Sequence, residues 1–197
     1  MKIICYGDSN TYGYDPRSWY GGQYDTPWPK RLFEVTGWEI INSGENGREI
    51  PRRKYELAQI WEALSGASAD LLIIMLGTND LLQGASPETA ANRMEAFLTQ
   101  LPVKETQILL IAPPKMQFGE WVSEQLLIDA SARLAECYQK LAQRLGVHFA
   151  DSSKWNISLT FDGVHFTEEG HRFFAAELMK YIKVVDDIKK TLPIHYE

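Results

Sequence analysis

Hydrophobic residues in this chain fall into short solid runs, separated by longer stretches in which they recur every three or four positions. The runs are 1–6 (MKIICY), 38–41, 70–76 (DLLIIML), 107–112 and 147–150. Runs apolar at successive positions suit strands covered on both faces. The intervening period of 3.6 predicts helices over 28–35, 53–64, 87–101, 123–145 and 167–185. Local signals agree with these bounds. Pro27 or Pro29 enters the first of these helices and Gly37 closes it. Leu57, Ile60, Trp61 and Leu64 share one face of the second. Ser86 caps the third, with Pro87 at its first position. Gly146 ends the fourth, and Thr167 with Glu169 starts the fifth. Segments 7–29 and 43–51 read as loops rich in turn residues.

Strand and helix alternate five times. That order predicts an α/β domain with a five-stranded parallel sheet, helices on both faces and right-handed crossovers. No internal repeat, low-complexity stretch or linker interrupts it, so residues 1–197 read as a single domain. The tail 189–197 reads as loose or docked on a neighbour.

Composition removes several function classes. Of 197 residues, 45% are hydrophobic and 23% charged, which is ordinary globular usage. A chain of this size hides roughly 70% of its extended surface on folding, enough for a core without staples. Twenty basic against twenty-six acidic residues give a net charge of −6. That balance argues against broad nucleic-acid binding, and Arg52-Arg53-Lys54 reads as a solvated helix start. Two cysteines make no disulfide framework, and Cys5 and Cys137 read as structural. No run of 18 apolar residues and no signal peptide are evident, so a cytoplasmic protein without a membrane partner is expected.

Ligands of parallel sheets bind beyond the carboxyl ends of the strands. The five runs are followed by Gly7-Asp8-Ser9-Asn10, by Asn42-Ser43-Gly44-Glu45-Asn46-Gly47, by Gly77-Thr78-Asn79-Asp80, by Pro113-Pro114 and, beyond a loop, by Asp162-Gly163-Val164-His165. A serine hydroxyl is a weak nucleophile and needs a base. His165 is a candidate base, imidazole being the side chain suited to that role, and Asp162, three residues before it, can hold the tautomer that leaves Nε2 for Ser9. Attack on an ester carbonyl creates an oxyanion that needs preorganised donors. The Ser9 amide, the Gly44 amide and the Asn79 carboxamide are candidates.

These motifs resemble the SGNH hydrolase, or GDSL-type esterase/lipase, superfamily in order and spacing over essentially the whole chain. The segment 41–48 is similar to the turn of its arylesterase-like branch. The resemblance implies a flavodoxin-like three-layer α/β/α sandwich. It implies Ser9 as nucleophile, His165 as base, Asp162 as its partner, and Ser9, Gly44 and Asn79 as the oxyanion hole. No cofactor is expected, and no metal, since the sequence has no His-Glu-x-x-His and no cluster of His, Cys or carboxylates. The expected substrate is a small or short-chain acyl ester, with aryl esters, acetylated sugars and thioesters within the same chemistry. A non-catalytic acyl- or carbohydrate-binding module on the same fold is the alternative. Asn10 stands where the family name has leucine, and no catalytic consequence is expected of it. No Gly-x-Ser-x-Gly elbow is present, which disfavours the α/β-hydrolase fold. Neither a Gly-x-Gly-x-x-Gly nor a P-loop is present to cradle a nucleotide or flavin.

Other residues admit two readings. Asp8 and Asp80 read as loop braces. His171 competes weakly with His165 for the base role, and His148 reads as a core or rim histidine. Tyr12, Tyr14, Trp19, Tyr20, Tyr24 and Trp28 suit either a substrate platform or loop packing, and so do Trp155 and Phe161. Met116, Phe118 and Trp121 either line the acyl side of the pocket or cap the next helix. Arg48 reads as a surface ion pair by default, with a charged substrate or neighbour as the alternative. The aromatic loop and the arylesterase resemblance are compatible with a homo-oligomer.

Overall fold

The computed structural model describes residues 1–18, 20–65, 69–104 and 107–191. In chain order the strands are β1 (Lys2–Gly7), β2 (Tyr14–Asp15), β3 (Gly22–Gln23), β4 (Glu39–Gly44), β5 (Leu71–Met75), β6 (Ile108–Ala112) and β7 (His148–Asp151). The helices are α1 (Ser9–Tyr12), α2 (Trp28–Thr36), α3 (Lys54–Ser65), α4 (Thr78–Leu82), α5 (Pro87–Leu98), α6 (Gln125–Leu145) and α7 (Glu168–Thr191). A five-stranded sheet runs β4-β1-β5-β6-β7 with every neighbour parallel.

The period of two along each strand divides the core. Ile4, Tyr6, Leu72, Ile74 and Leu110 face one way and pack with Leu57 and Ile60 of α3, Met94 and Phe97 of α5, and Leu134 and Tyr138 of α6. Ile3, Cys5, Leu71, Ile73, Leu109 and Ile111 face the other way. They pack with Trp28 and Leu32 of α2 and Phe174, Leu178 and Ile182 of α7. Two helical layers on one sheet make the expected three-layer α/β/α sandwich.

Five local expectations are corrected. Segment 7–29 is more than a loop: it holds the one-turn helix α1 and the antiparallel hairpin β2–β3. Thr78–Leu82, just beyond β5, form the short helix α4, which is not among the five expected helices. β4 continues to Gly44, because its register with β1 carries through Gly7↔Gly44. Trp61 is 44% exposed. It lies about 100° round the helix from Ile60, outside the narrow stripe of Leu57, Ile60 and Leu64 that meets the sheet. At the other end of the chain α7 runs to Thr191, so the first part of the expected tail is helical. His195 and Trp19 lie outside the described residues.

Candidate active site

Ser9 stands two residues past the end of β1 and opens α1, where the first amides have no carbonyl of their own helix to donate to. The Asp8 carboxylate caps this turn by accepting from the Asn10 amide at 3.0 Å, and Gly13 ends it at φ +96°. Asn79 rises from α4 beyond β5, and Gly44 closes β4. Asp162 and His165 lie between β7 and α7. β1 sits between β4 and β5, so the loops after these three strands meet where the strand order reverses.

A continuous hydrogen-bonded chain joins the three residues from opposite ends of the sequence. His165 Nε2 lies 2.9 Å from Ser9 Oγ. His165 Nδ1 lies 2.7 Å from Asp162 Oδ2. Asp162 Oδ1 also accepts from the amides of Val164 and His165, each at 2.9 Å. Burial raises the Asp162 pKa, but the hydrogen bonds from His165 and Val164 outweigh it and hold the carboxyl at about 2. A carboxylate that accepts three N–H donors is fixed in direction and stays ionised. Nδ1–H to Asp162 leaves Nε2 to accept from the Ser9 hydroxyl.

The turn carrying this pair depends on Gly163. Its φ is +81°, and a Cβ there would stand 2.1 Å from the Gln117 carbonyl oxygen. The Gln117 amide in turn donates to Gly163 O at 3.0 Å. Segment 113–122 therefore lies against the turn and supports it.

Asn10 has a role that its apolar counterpart in the family name does not suggest. Its Nδ2 donates to Val164 O at 3.1 Å, and its Oδ1 accepts from Phe166 N at 2.9 Å. One buried carboxamide thus grips the backbone on both sides of His165. The signal readable in the sequence was a polar residue next to Ser9 where the family name has leucine.

The three expected oxyanion donors differ in state. Ser9 N stands at the first position of α1. Asn79 Nδ2 donates to Arg48 O at 3.0 Å and carries a second hydrogen. The Gly44 amide donates to Asn42 Oδ1 at 3.0 Å, so in this state it is engaged rather than open. Asn42 itself is exposed. Gly44 has no room for a side chain: a Cβ would lie 2.1 Å from Tyr12 N. That contact lets the backbone of α1 press against the end of β4.

Asp8 is buried, and burial pushes its carboxyl up to about 6 against the Asn10 amide and the nearby charges of His165 and Arg48. Asp80 accepts from Ile50 N at 2.9 Å and pairs with Arg93 at 2.7 Å, as a loop brace should. His171 is buried away from Ser9, and its Nδ1 accepts from Trp28 N at 3.3 Å. Burial, helped by Arg31, lowers its pKa to about 3, so it stays neutral. His148 begins β7, at the far end of the sheet from these loops.

The aromatic residues divide. Tyr24 and Trp28 are buried in loop and helix packing, and Trp155 stacks on Phe174 and Tyr181. Tyr14 and Trp121 instead flank the imidazole, with ring centres 4.8 and 5.0 Å from that of His165. Met116 is buried, while Phe118, Trp121 and Phe161 are exposed. Among the described residues, no group of three or more His, Cys, Asp or Glu stands where it could hold a metal ion. None of the described helices is long and apolar enough to cross a membrane.

The model of the GDSL-like Lipase/Acylhydrolase family matches residues 5–173. Solved structures agree over nearly the whole chain. A protein assigned as an arylesterase from Agrobacterium tumefaciens str. C58 is 28% identical, with a TM-score of 0.79 over 94% of this chain and 100% of that one. The native aryl esterase of M. smegmatis is 25% identical, with a TM-score of 0.78 over 93% and 99%. A carbohydrate acetylesterase family member from Sinorhizobium meliloti, 24% identical with a TM-score of 0.77 over 94% and 99%, shares the fold. A search of curated proteins by sequence gives no match.

Proposed function

The chain belongs to the GDSL-like lipase/acylhydrolase family, and from that premise we propose that it is a serine esterase acting on small or short-chain acyl esters. The observation that carries this reading is the unbroken chain Ser9 Oγ–His165–Asp162, with links of 2.9 and 2.7 Å. Similarity to the two arylesterases supports an ester substrate. Tyr14 and Trp121 support a small one, since their rings narrow the approach to the imidazole from two sides.

Ser9 Oγ attacks the ester carbonyl carbon while its proton passes to His165 Nε2. The carbonyl oxygen becomes an oxyanion that accepts from Ser9 N and Asn79 Nδ2. Gly44 N joins them once the exposed Asn42 side chain turns aside. Asp162 stabilises the imidazolium without taking its proton. The tetrahedral adduct collapses, the alcohol leaves with the proton from Nε2, and an acyl–serine remains. Water then attacks the acyl carbon and gives its proton to Nε2. Collapse releases the acid and returns that proton to Ser9.

Intact-mass spectrometry after treatment with a fluorophosphonate, with peptide mapping, tests this reading. One adduct on Ser9, absent in His165→Ala, is expected, together with p-nitrophenyl ester turnover that falls from acetyl to octanoyl. No adduct and no turnover of p-nitrophenyl acetate would overturn it.

A further inference from the structure

Arg48 follows the turn after β4 and sends its side chain back into the protein, where 14% of it stays exposed. Its Nη1 donates to two carbonyls, Gly7 O at 2.9 Å and Ser43 O. Its Nη2 pairs with Glu45 Oε2 at 2.6 Å, and the guanidinium lies 4.2 Å from the centre of the Tyr6 ring. The main-chain carbonyl of the same residue accepts from Asn79 Nδ2. A surface ion pair would need the Glu45 carboxylate alone, and that side chain is 61% exposed. The remaining contacts need a different account.

Each of them falls on a group next to the site. Ser43 O belongs to the same peptide plane as Gly44 N–H. A peptide moves as a rigid plane, so a cation that holds the oxygen also aims the hydrogen. Donation to the carbonyl polarises the peptide and strengthens its N–H as a donor. Gly7 O shares its plane with Asp8 N, the entry to the turn that carries Ser9. The Arg48 carbonyl can only accept, so it selects the nitrogen of the Asn79 carboxamide and sets the plane in which the second N–H lies. One residue therefore holds the Gly44 peptide, the Asn79 side chain and the peptide that enters the Ser9 turn.

We propose that Arg48 is a positioning residue of the oxyanion hole: its guanidinium fixes the Ser43–Gly44 peptide and the Gly7–Asp8 peptide that leads into the Ser9 turn, while its carbonyl fixes Asn79. The inference rests on the esterase reading. A positioning role acts on the transition state, where the oxyanion exists, and hardly on the ground-state ester.

The test is steady-state kinetics of Arg48→Met and Arg48→Lys with p-nitrophenyl acetate, with inhibition by an aryl boronic acid measured alongside. The boronic acid forms a tetrahedral anion on the serine. Removing one donor outright typically costs about 10²–10³ in rate, so misaiming the donors in Arg48→Met should lower kcat about 10- to 100-fold. KM should stay within about threefold, and boronate affinity should fall with kcat. Arg48→Lys, a point charge without the planar fork, should lie between Arg48→Met and wild type. A folded Arg48→Met with wild-type kcat, or with its loss confined to KM, would overturn the inference while the esterase reading stood. Should Arg48→Met lose its melting transition, the Lys variant decides alone: reduced kcat with unchanged KM supports the role, and wild-type kcat overturns it. Wild-type protein with neither turnover nor Ser9 labelling would overturn the esterase reading, and this inference with it.

Discussion

Asn10 and Val164 are joined by a 3.1 Å hydrogen bond across 154 positions of chain. The same carboxamide accepts from Phe166 N, so the residue after Ser9 ties the Ser9 turn to the backbone on both sides of His165. Replacing it with the leucine of the family name leaves Val164 O and Phe166 N without these partners. Each unpaired buried backbone group costs about 1–3 kcal/mol. Asn10→Leu should therefore lower the unfolding free energy by about 2–6 kcal/mol and reduce kcat at unchanged KM. Urea denaturation and p-nitrophenyl acetate kinetics on the same preparation would show this. An unaltered urea midpoint would refute the clamp.

Removing the nucleophile and removing its orienting carboxylate should differ. Ser9→Ala and His165→Ala should each lose about 10⁶ in kcat, and Asp162→Asn about 10⁴, as in other triads where the acid only orients the base. Circular dichroism of Ser9→Ala should match wild type. Equal losses in all three variants would assign Asp162 a larger part than orientation.

His171 is held neutral at a pKa of about 3 against an ordinary 6.5. Its folded pKa is depressed, so the stability it contributes is full above pH 6.5 and is lost as pH falls towards 3. Burial is the cause, since the imidazolium would lie among Tyr24, Trp28 and Phe166. His171→Asn keeps an acceptor for Trp28 N but cannot titrate. Thermal melting between pH 7 and 4 should show a shallower decline in this variant than in wild type. Parallel curves would exclude His171 as a source of acid lability.

Asp8 has the opposite sign. Its folded pKa, about 6, lies above the ordinary 3.8, so ionisation opposes folding increasingly as pH rises from 4 to 6. Asp8→Asn retains an oxygen for the Asn10 amide and removes the buried charge. It should stabilise the protein by about 1–3 kcal/mol above pH 7 and by nothing near pH 4. Denaturation at the two pH values measures the difference, and a gain independent of pH would rule out the charge as its origin.

Acid stability owes little to Asp162 over most of the working range. Its folded pKa of about 2 is below the ordinary 3.8, so what it contributes is complete above pH 4 and lost only between 4 and 2.

Much of this was legible in the chain. Solid runs such as Leu71–Met75 are apolar on both faces because both faces are covered, and period 2 or 3.6 is a local property of the backbone. Gly7-Asp8-Ser9, Gly77-Thr78-Asn79-Asp80 and Asp162-Gly163-Val164-His165 were recognisable because each motif is contiguous. Their order along five strands placed them at one end of one sheet.

What only the tertiary structure decided are relations between segments distant in sequence. The grip of Asn10 on the backbone beside His165, the support of Gly163 by Gln117 and the reach of Arg48 to Gly7 each join residues far apart in the chain. No periodicity encodes such pairs, because they depend on sheet register and on the few ångströms left between packed loops. The exposure of Trp61 and the division of the aromatics between core and imidazole follow from the same cause. Local sequence settles which groups are available. Packing settles which of them meet, because a hydrogen bond forms or fails over less than an ångström.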